Sequence, residues 1–242
     1  MHLVEQQPSY HTKPNHIVPI SSISSLPVPC YHLLQWPTTF ETLLETGREP
    51  GVTLNERSAI DSLQIIKLMA SVLFLVDNRS EVVFDILLPQ FLEIVNRGRK
   101  VIYDEELAFT EWRKGPEEKF VPNSQSRFTS GMGLVAPLFI VATKCRNRKL
   151  RREAIRLLLS RPRREGLWDS IFCAKVAELI MEIEEKDLNA YDLRDHNDWE
   201  YIPEEKRVII REISFDLQAR NGKLSYGMID LCEKIVERDL CW

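Results

Sequence analysis

Apolar residues return every three or four positions through most of residues 53–188, and near residue 207 the period drops to two. That change limits the chain to a helical body followed by a small β element. Leu63, Ile66, Met69, Ala70 and Leu73 mark a first helix, with Asn55 as a candidate cap. A second helix starts near Ser80 and carries Val83, Ile86, Leu87, Phe91, Ile94 and Val95. Pro89 should kink it; Gly98 is a candidate stop, with extension through Val101-Ile102 as the alternative. The link between the two is very short, so they are expected to form an antiparallel pair.

Residues 112–130 are polar and turn-rich and read as a loop. Three more helices follow, over about 134–147, 148–160 and 168–188. Leu150, Ala154, Leu157 and Leu158 form the inner stripe of the middle one, which Pro162 ends. Trp168, Phe172, Val176, Leu179 and Ile183 share one face of the last. Alternation at Arg211, Ile213, Phe215 and Leu217, followed by Asn221-Gly222, predicts a two-stranded hairpin near 207–226, with its turn at Asn-Gly. A short helix or extended tail should then run to Trp242. The expected fold is mainly α, with packed antiparallel helices, an option of solenoid-like stacking, and a small C-terminal β-hairpin.

Residues 1–37 have a different character. Pro8, Pro14, Pro19, Pro27, Pro29 and Pro37 interrupt them, and serines cluster at 21–25. Proline fixes φ and removes a donor, so the segment is expected to be extended or disordered, with residues 38–242 as the helical domain. The first residues lack a basic and apolar leader pattern. The most apolar stretch, Leu68 to Val76, is far shorter than the roughly 20 residues of a bilayer span. The expectation is a soluble, intracellular chain without a membrane partner.

Five scattered cysteines without a C-x-x-C spacing argue against a disulfide framework or a zinc cluster. Gly131-Met132-Gly133-Leu134-Val135-Ala136 has the spacing of a dinucleotide fingerprint, but no strand pattern precedes it. It reads as the start of the third helix. Four of the five histidines lie in the proline-rich segment, and His196 sits in a polar loop. The chain offers no set of catalytic residues, so no enzyme activity, cofactor or metal is expected.

Charge carries more information. Ten basic residues fall between Lys144 and Arg164, with Glu153 the single acid among them. Arg148, Arg152 and Arg156 are four apart and form one stripe, a candidate contact for nucleic acid or a partner. Against that reading, the net charge is −4, no aromatic residues interleave, and the acids of the last helix are available for pairing. The following turn, Arg163-Arg164-Glu165-Gly166-Leu167-Trp168-Asp169, reads as a structural motif. Gly166 permits positive φ, Trp168 anchors the next helix and Asp169 favours its first turn. Arg164 and Glu165 tie the turn to neighbouring helices. A core Trp168 would contribute roughly 3–5 kcal/mol.

These residues also carry a family resemblance. The blocks Pro137-Leu138-Phe139-Ile140-Val141-Ala142-Thr143-Lys144-Cys145-Arg146, Leu150-Arg151-Arg152-Glu153-Ala154-Ile155, Pro162 to Asp169 and Ile183-Glu184-Glu185 occur in order. With the preceding helix pair and the Ile202-Pro203-Glu204-Glu205…Arg207-Val208 approach to the hairpin, the stretch from about 36 to 242 resembles the C-terminal region of fungal Zn2Cys6 transcription factors. The resemblance implies a nuclear regulatory protein that controls a metabolic or secondary-metabolite gene cluster. Protein partners are implied, among them a complete zinc-cluster factor in a homo- or heterodimer. The six-cysteine cluster of that family is missing from this sequence, so no zinc ligand carries over and direct DNA binding is not implied. Alternatives are a helical scaffold reused for small-molecule binding or as a pathway accessory, and direct nucleic-acid binding through residues 144–164.

Overall fold

A computed structural model describes Thr42, Glu45 and residues 51–75, 81–113, 127–129, 133–186, 202–228 and 234–242. The chain divides into Met1–Leu43 and Leu44–Trp242, and all the elements named below belong to the second unit. The proline-rich segment 1–37 and the five histidines lie outside the described residues.

The second unit is mainly α, with a small C-terminal antiparallel sheet. Helix α1 spans Leu54–Leu75. Its cap is Thr53 rather than Asn55. The Glu56 carboxylate accepts from the Thr53 N–H at 2.8 Å, and Thr53 Oγ1 accepts from the Glu56 N–H at 3.3 Å. This is the reciprocal T-x-x-E capping box, which outcompetes a lone Asn two residues later. A 3-10 helix, Glu81–Leu87, leads into α2, Leu88–Arg113. Pro89 therefore lies in the first turn of an α-helix, where its missing N–H has no intrahelical partner to lose, and the break falls before it. Gly98 lies inside α2. A Cβ there would stand 3.4 Å from Leu138 Cδ2, so this glycine serves a close helix contact.

The segment read as a loop contains a short strand, β1, Arg127–Thr129. It pairs in parallel with β2, Arg163–Glu165, which turns back on β3, Trp168–Asp169. Between these lie α3, Val135–Lys144, and α4, Arg148–Ser160. Asn147 caps α4 by accepting from the Leu150 N–H at 2.9 Å. The expected stripe Leu150, Ala154, Leu157 and Leu158 is buried. Helix α5 spans Ser170–Glu185, two residues later than expected, because Trp168 and Asp169 are held in the hairpin with β2.

The C-terminal sheet has order β4-β5-β6: Val208–Asp216, Asn221–Met228 and Val236–Cys241. Two strands were expected, and the tail supplies a third. The turn also differs. Residues 217–220 make it, with Arg220 at φ 51 and the Asp216 carboxylate accepting from the N–H groups of Gln218 and Ala219. Asn221-Gly222 open β5 instead. Gly222 is needed for contact, because a Cβ there would lie 2.7 Å from the Ser214 carbonyl oxygen and 3.1 Å from the Phe172 ring. Phe172 of α5 meets Phe215 of β4 at 5.1 Å and Trp242 at 4.4 Å between ring centroids, which seats the sheet on the helices.

Candidate functional site

The basic run and the acids around it form a dense network of ion pairs among the described residues. Its centre is Glu184, in the last turn of α5 and fully buried. Glu184 Oε2 accepts from Arg151 Nη2 at 2.5 Å, and Oε1 accepts from Arg146 Nη2 at 2.9 Å. The Val208 N–H, at the start of β4, donates to the same Oε1 at 2.9 Å. Glu81, from the 3-10 helix, accepts from Lys144 Nζ at 2.6 Å and from Arg146 Nη2 at 3.0 Å. Lys144 also lies over the Phe84 ring at 5.2 Å. Arg207, likewise fully buried, donates to the carbonyls of Ile202 and Glu81 and to Asp85 Oδ2. A buried charge without a partner costs several kcal/mol, so these bonds are a condition of burying the guanidinium groups.

Burial pushes the Lys144 ammonium below its ordinary pKa, with Glu81 opposing. It pushes the Cys145 thiol up to about 11, and the Cys173 thiol is raised for the same reason. Neither is a thiolate at neutral pH. Among the described residues, no group of three or more His, Cys, Asp or Glu is placed to hold a metal ion. No described helix is long and apolar enough to cross a membrane.

The stripe Arg148, Arg152 and Arg156 lies at the edge of this network. Arg148 and Arg152 both reach Glu185 Oε2, at 2.9 and 2.5 Å. Burial alone would raise the Glu185 pKa, but hydrogen bonds from Arg152 and Arg148 outweigh it and the net shift is downward. Arg156 forks onto Glu153, whose carboxylate also takes Arg99. The side chains of Arg152 and Arg156 remain 45% and 60% exposed.

The turn 163–169 holds three elements together. Arg163 grips Glu105 of α2 through both terminal nitrogens, at 3.1 and 2.7 Å. Arg164 Nε donates back to the Gly166 carbonyl at 3.0 Å. Gly166 takes φ +59, the glycine-first pattern of a two-residue hairpin turn. Asp169 is the cap of α5 and accepts from the Phe172 N–H at 2.9 Å. Trp168 leans on Phe139 at 5.7 Å but stays 36% exposed, so it is less of a core anchor than expected.

Glu165 ties the turn to α3 by a route the sequence did not disclose. Its buried carboxylate accepts from the N–H groups of Gly133, Leu134 and Val135, at 2.9, 3.0 and 2.9 Å. A side chain from β2 thus fills the N-terminus of α3, where orphan donors and the helix dipole favour an anion. Gly133 makes room: a Cβ there would lie 3.0 Å from Glu165 Oε1. The dinucleotide-like spacing at Gly131 to Ala136 ends on a helix whose anion position the chain's own Glu165 occupies.

No family model matches the chain, and no solved structure matches it. Over 104 residues it is 36% identical to the aspercryptin biosynthesis cluster-specific transcription regulator atnN of Emericella nidulans. Part of this chain is similar to a fungal transcription regulator. The matched stretch makes up 43% of the chain and 17% of the length of that regulator.

Proposed function

We propose that this chain is a transcription-regulatory module of the kind found outside the zinc cluster in fungal Zn2Cys6 factors. It acts in the nucleus on a metabolic or secondary-metabolite gene cluster, and it works through protein partners. The observation that carries this reading is the 104-residue similarity to a cluster-specific regulator. The geometry supports the part played by proteins rather than DNA. Eight cations of the basic run, Lys144 through Arg163, are paired in salt bridges with carboxylates of α2, α4, α5 and the 3-10 helix. A phosphate backbone would have to displace those acids, which lowers the counterion-release gain that drives DNA affinity.

The exposure of Arg152 and Arg156 favours a second reading, direct contact with nucleic acid through the stripe. Two measurements separate the readings. Deleting the gene should change transcript levels of a linked biosynthetic cluster, and an unchanged transcript profile would overturn the regulatory reading. Titration of DNA at rising salt should show weak binding that is indifferent to Arg152→Glu and Arg156→Glu. Tight binding that falls steeply with salt and disappears in the double variant would establish the second reading instead.

A further inference from the structure

Helix α2 turns its two flanks to different neighbours. On one, Arg97 bonds Asp61 of α1. On the other, Arg99 reaches Glu153 of α4 at 2.9 Å. The pairs Arg99–Glu153 and Glu105–Arg161 hold α2 and α4 side by side and running the same way. Leu92 and Tyr103 share the Arg99 flank, all three within about 40° of one another at about 100° per residue. Leu92 is 49% exposed and Tyr103 59%. Neither belongs to the core cluster or to the residues packed against it. A cationic centre thus stands between two exposed apolar side chains, roughly 17 Å apart along the axis at about 1.5 Å per residue.

That centre carries more positive charge than its own acids balance. Glu153 serves two guanidinium groups, those of Arg99 and Arg156, and Glu185 serves Arg148 and Arg152. Arg99, Arg152 and Arg156 keep about half of their side chains in water. Lys100, next to Arg99, is exposed and pairs with no acid among the described residues. The exposed Glu106, one turn past Tyr103, bounds the cationic stretch. This local excess lies in a chain whose net charge is −4.

We propose that this α2–α4 face binds an acidic, amphipathic helix of another protein, with carboxylates on Arg99 and Arg156 and apolar side chains on Leu92 and Tyr103. The inference names a class of partner for the protein-mediated function proposed above, and it rests on that reading. Charge complementarity selects an acidic segment. An incoming carboxylate meets guanidinium groups that already share one acid, so it adds a bond without expelling Glu153. The apolar pair selects a protein over a DNA duplex. A leucine or phenylalanine gains by covering Leu92 and Tyr103, whereas a phosphate backbone makes no use of them. Exposed ion pairs contribute little by themselves, so charge sets the choice of partner and the apolar contacts hold it.

Selection of phage-displayed random peptides of about 16 residues, long enough as a helix to span the face, on the full chain tests it. The enriched peptides should be net negative, with Asp or Glu between two large apolar residues. Fluorescence anisotropy of a synthetic copy should show affinity falling roughly tenfold or more in Arg99→Glu/Arg156→Glu. That variant also strips Glu153 of its cations, so Leu92→Ser/Tyr103→Ser gives a second measurement. It leaves every ion pair in place, and affinity should fall by a similar factor with helical circular dichroism unchanged. A selection that enriches nothing, or enriches basic or uncharged peptides, overturns the proposal. So do acidic peptides whose affinity either variant leaves unchanged. A short DNA duplex that displaces the peptide and binds more tightly than it does overturns the proposal in favour of nucleic acid. Transcript levels after gene deletion read the regulatory role without reference to this face, so a failure here is distinguishable from a failure of that reading.

Discussion

Arg151 and Glu184 meet at 2.5 Å with both side chains fully shut off from water. Their bond joins α4 to α5. The same carboxylate takes Arg146 from the α3–α4 turn and the backbone N–H of Val208 at the start of β4. One buried acid therefore fixes two helices, a turn and the first residue of the C-terminal sheet. Glu184→Ala leaves two guanidinium groups and a backbone donor without their acceptor. It should lower stability by about 3–5 kcal/mol, the usual effect of removing one partner of a buried pair. The midpoint of urea unfolding checks this, and a shift no larger than that of an exposed substitution would contradict the role given to Glu184.

Glu165 caps α3 from a distance, through three backbone donors. Glu165→Ala should reduce stability by about 2 kcal/mol, above the range of a single exposed cap because the orphaned donors are buried. Gly133→Ala should act in the same direction, since its Cβ crowds Glu165 Oε1 at 3.0 Å. Hydrogen exchange locates the effect. Amide protection at Gly133, Leu134 and Val135 should fall in both variants while that of α4 stays.

Hydrogen bonds from Arg156, joined by those from Arg99, hold the Glu153 carboxyl at about 2, below its usual 4.5. A folded-state value below the unfolded one stabilises the native chain above the unfolded pKa. That contribution fades as pH falls from about 4.5 towards 2. Glu153 lies at the surface, where solvent screens the pair, so the effect is small. Melting temperatures of Glu153→Gln and the parent chain should differ most above about pH 5 and converge as the pH approaches 2. A constant difference across that window would show that the charge of Glu153 does not matter.

Trp168 offers less than a core tryptophan. Its ring makes a tilted contact with Phe139, and the residue stays about one-third exposed. Trp168→Ala should lower stability by about 1–2 kcal/mol, from one aromatic contact and partial burial. Equilibrium denaturation measures this directly, and a loss of the roughly 3–5 kcal/mol of a full core truncation would restore the anchor reading.

The sequence was legible where local signals agreed. Helix α4 was expected over about 148–160, with one apolar stripe and an end before Pro162, and the structure places it at Arg148–Ser160. The alternation of β4 is likewise a local property. Three other features were not legible, each for a physical reason. Strand β6 contains Glu237, Arg238 and Asp239 in succession, because it is an edge strand with most of its residues in water, so its pattern carries no period of two. On α1, periodicity marked Leu63, Ile66, Met69, Ala70 and Leu73, but the buried positions are Ile65, Met69 and Val72, while Leu63 and Leu73 are exposed, because a helix apolar over a wide arc does not disclose which part of that arc its neighbours cover. In the basic run, partners come from far along the chain: Glu81 lies 63 residues from Lys144, and Glu105 lies 58 from Arg163. Glu184 did leave a trace. It continues the stripe of Cys173, Ala177 and Ile180 on the buried face of α5, where an acid demands a buried cation.

Regulation of transcription through protein partners is the role proposed for the chain. The most direct test fuses residues 1–242 to an unrelated DNA-binding domain above a reporter gene in a fungal host. Reporter output should depart, up or down, from that of the DNA-binding domain alone, and should move back towards that level as Glu184→Ala destabilises the module. Output equal to that of the DNA-binding domain alone, with the folded fusion present in the nucleus, would contradict it.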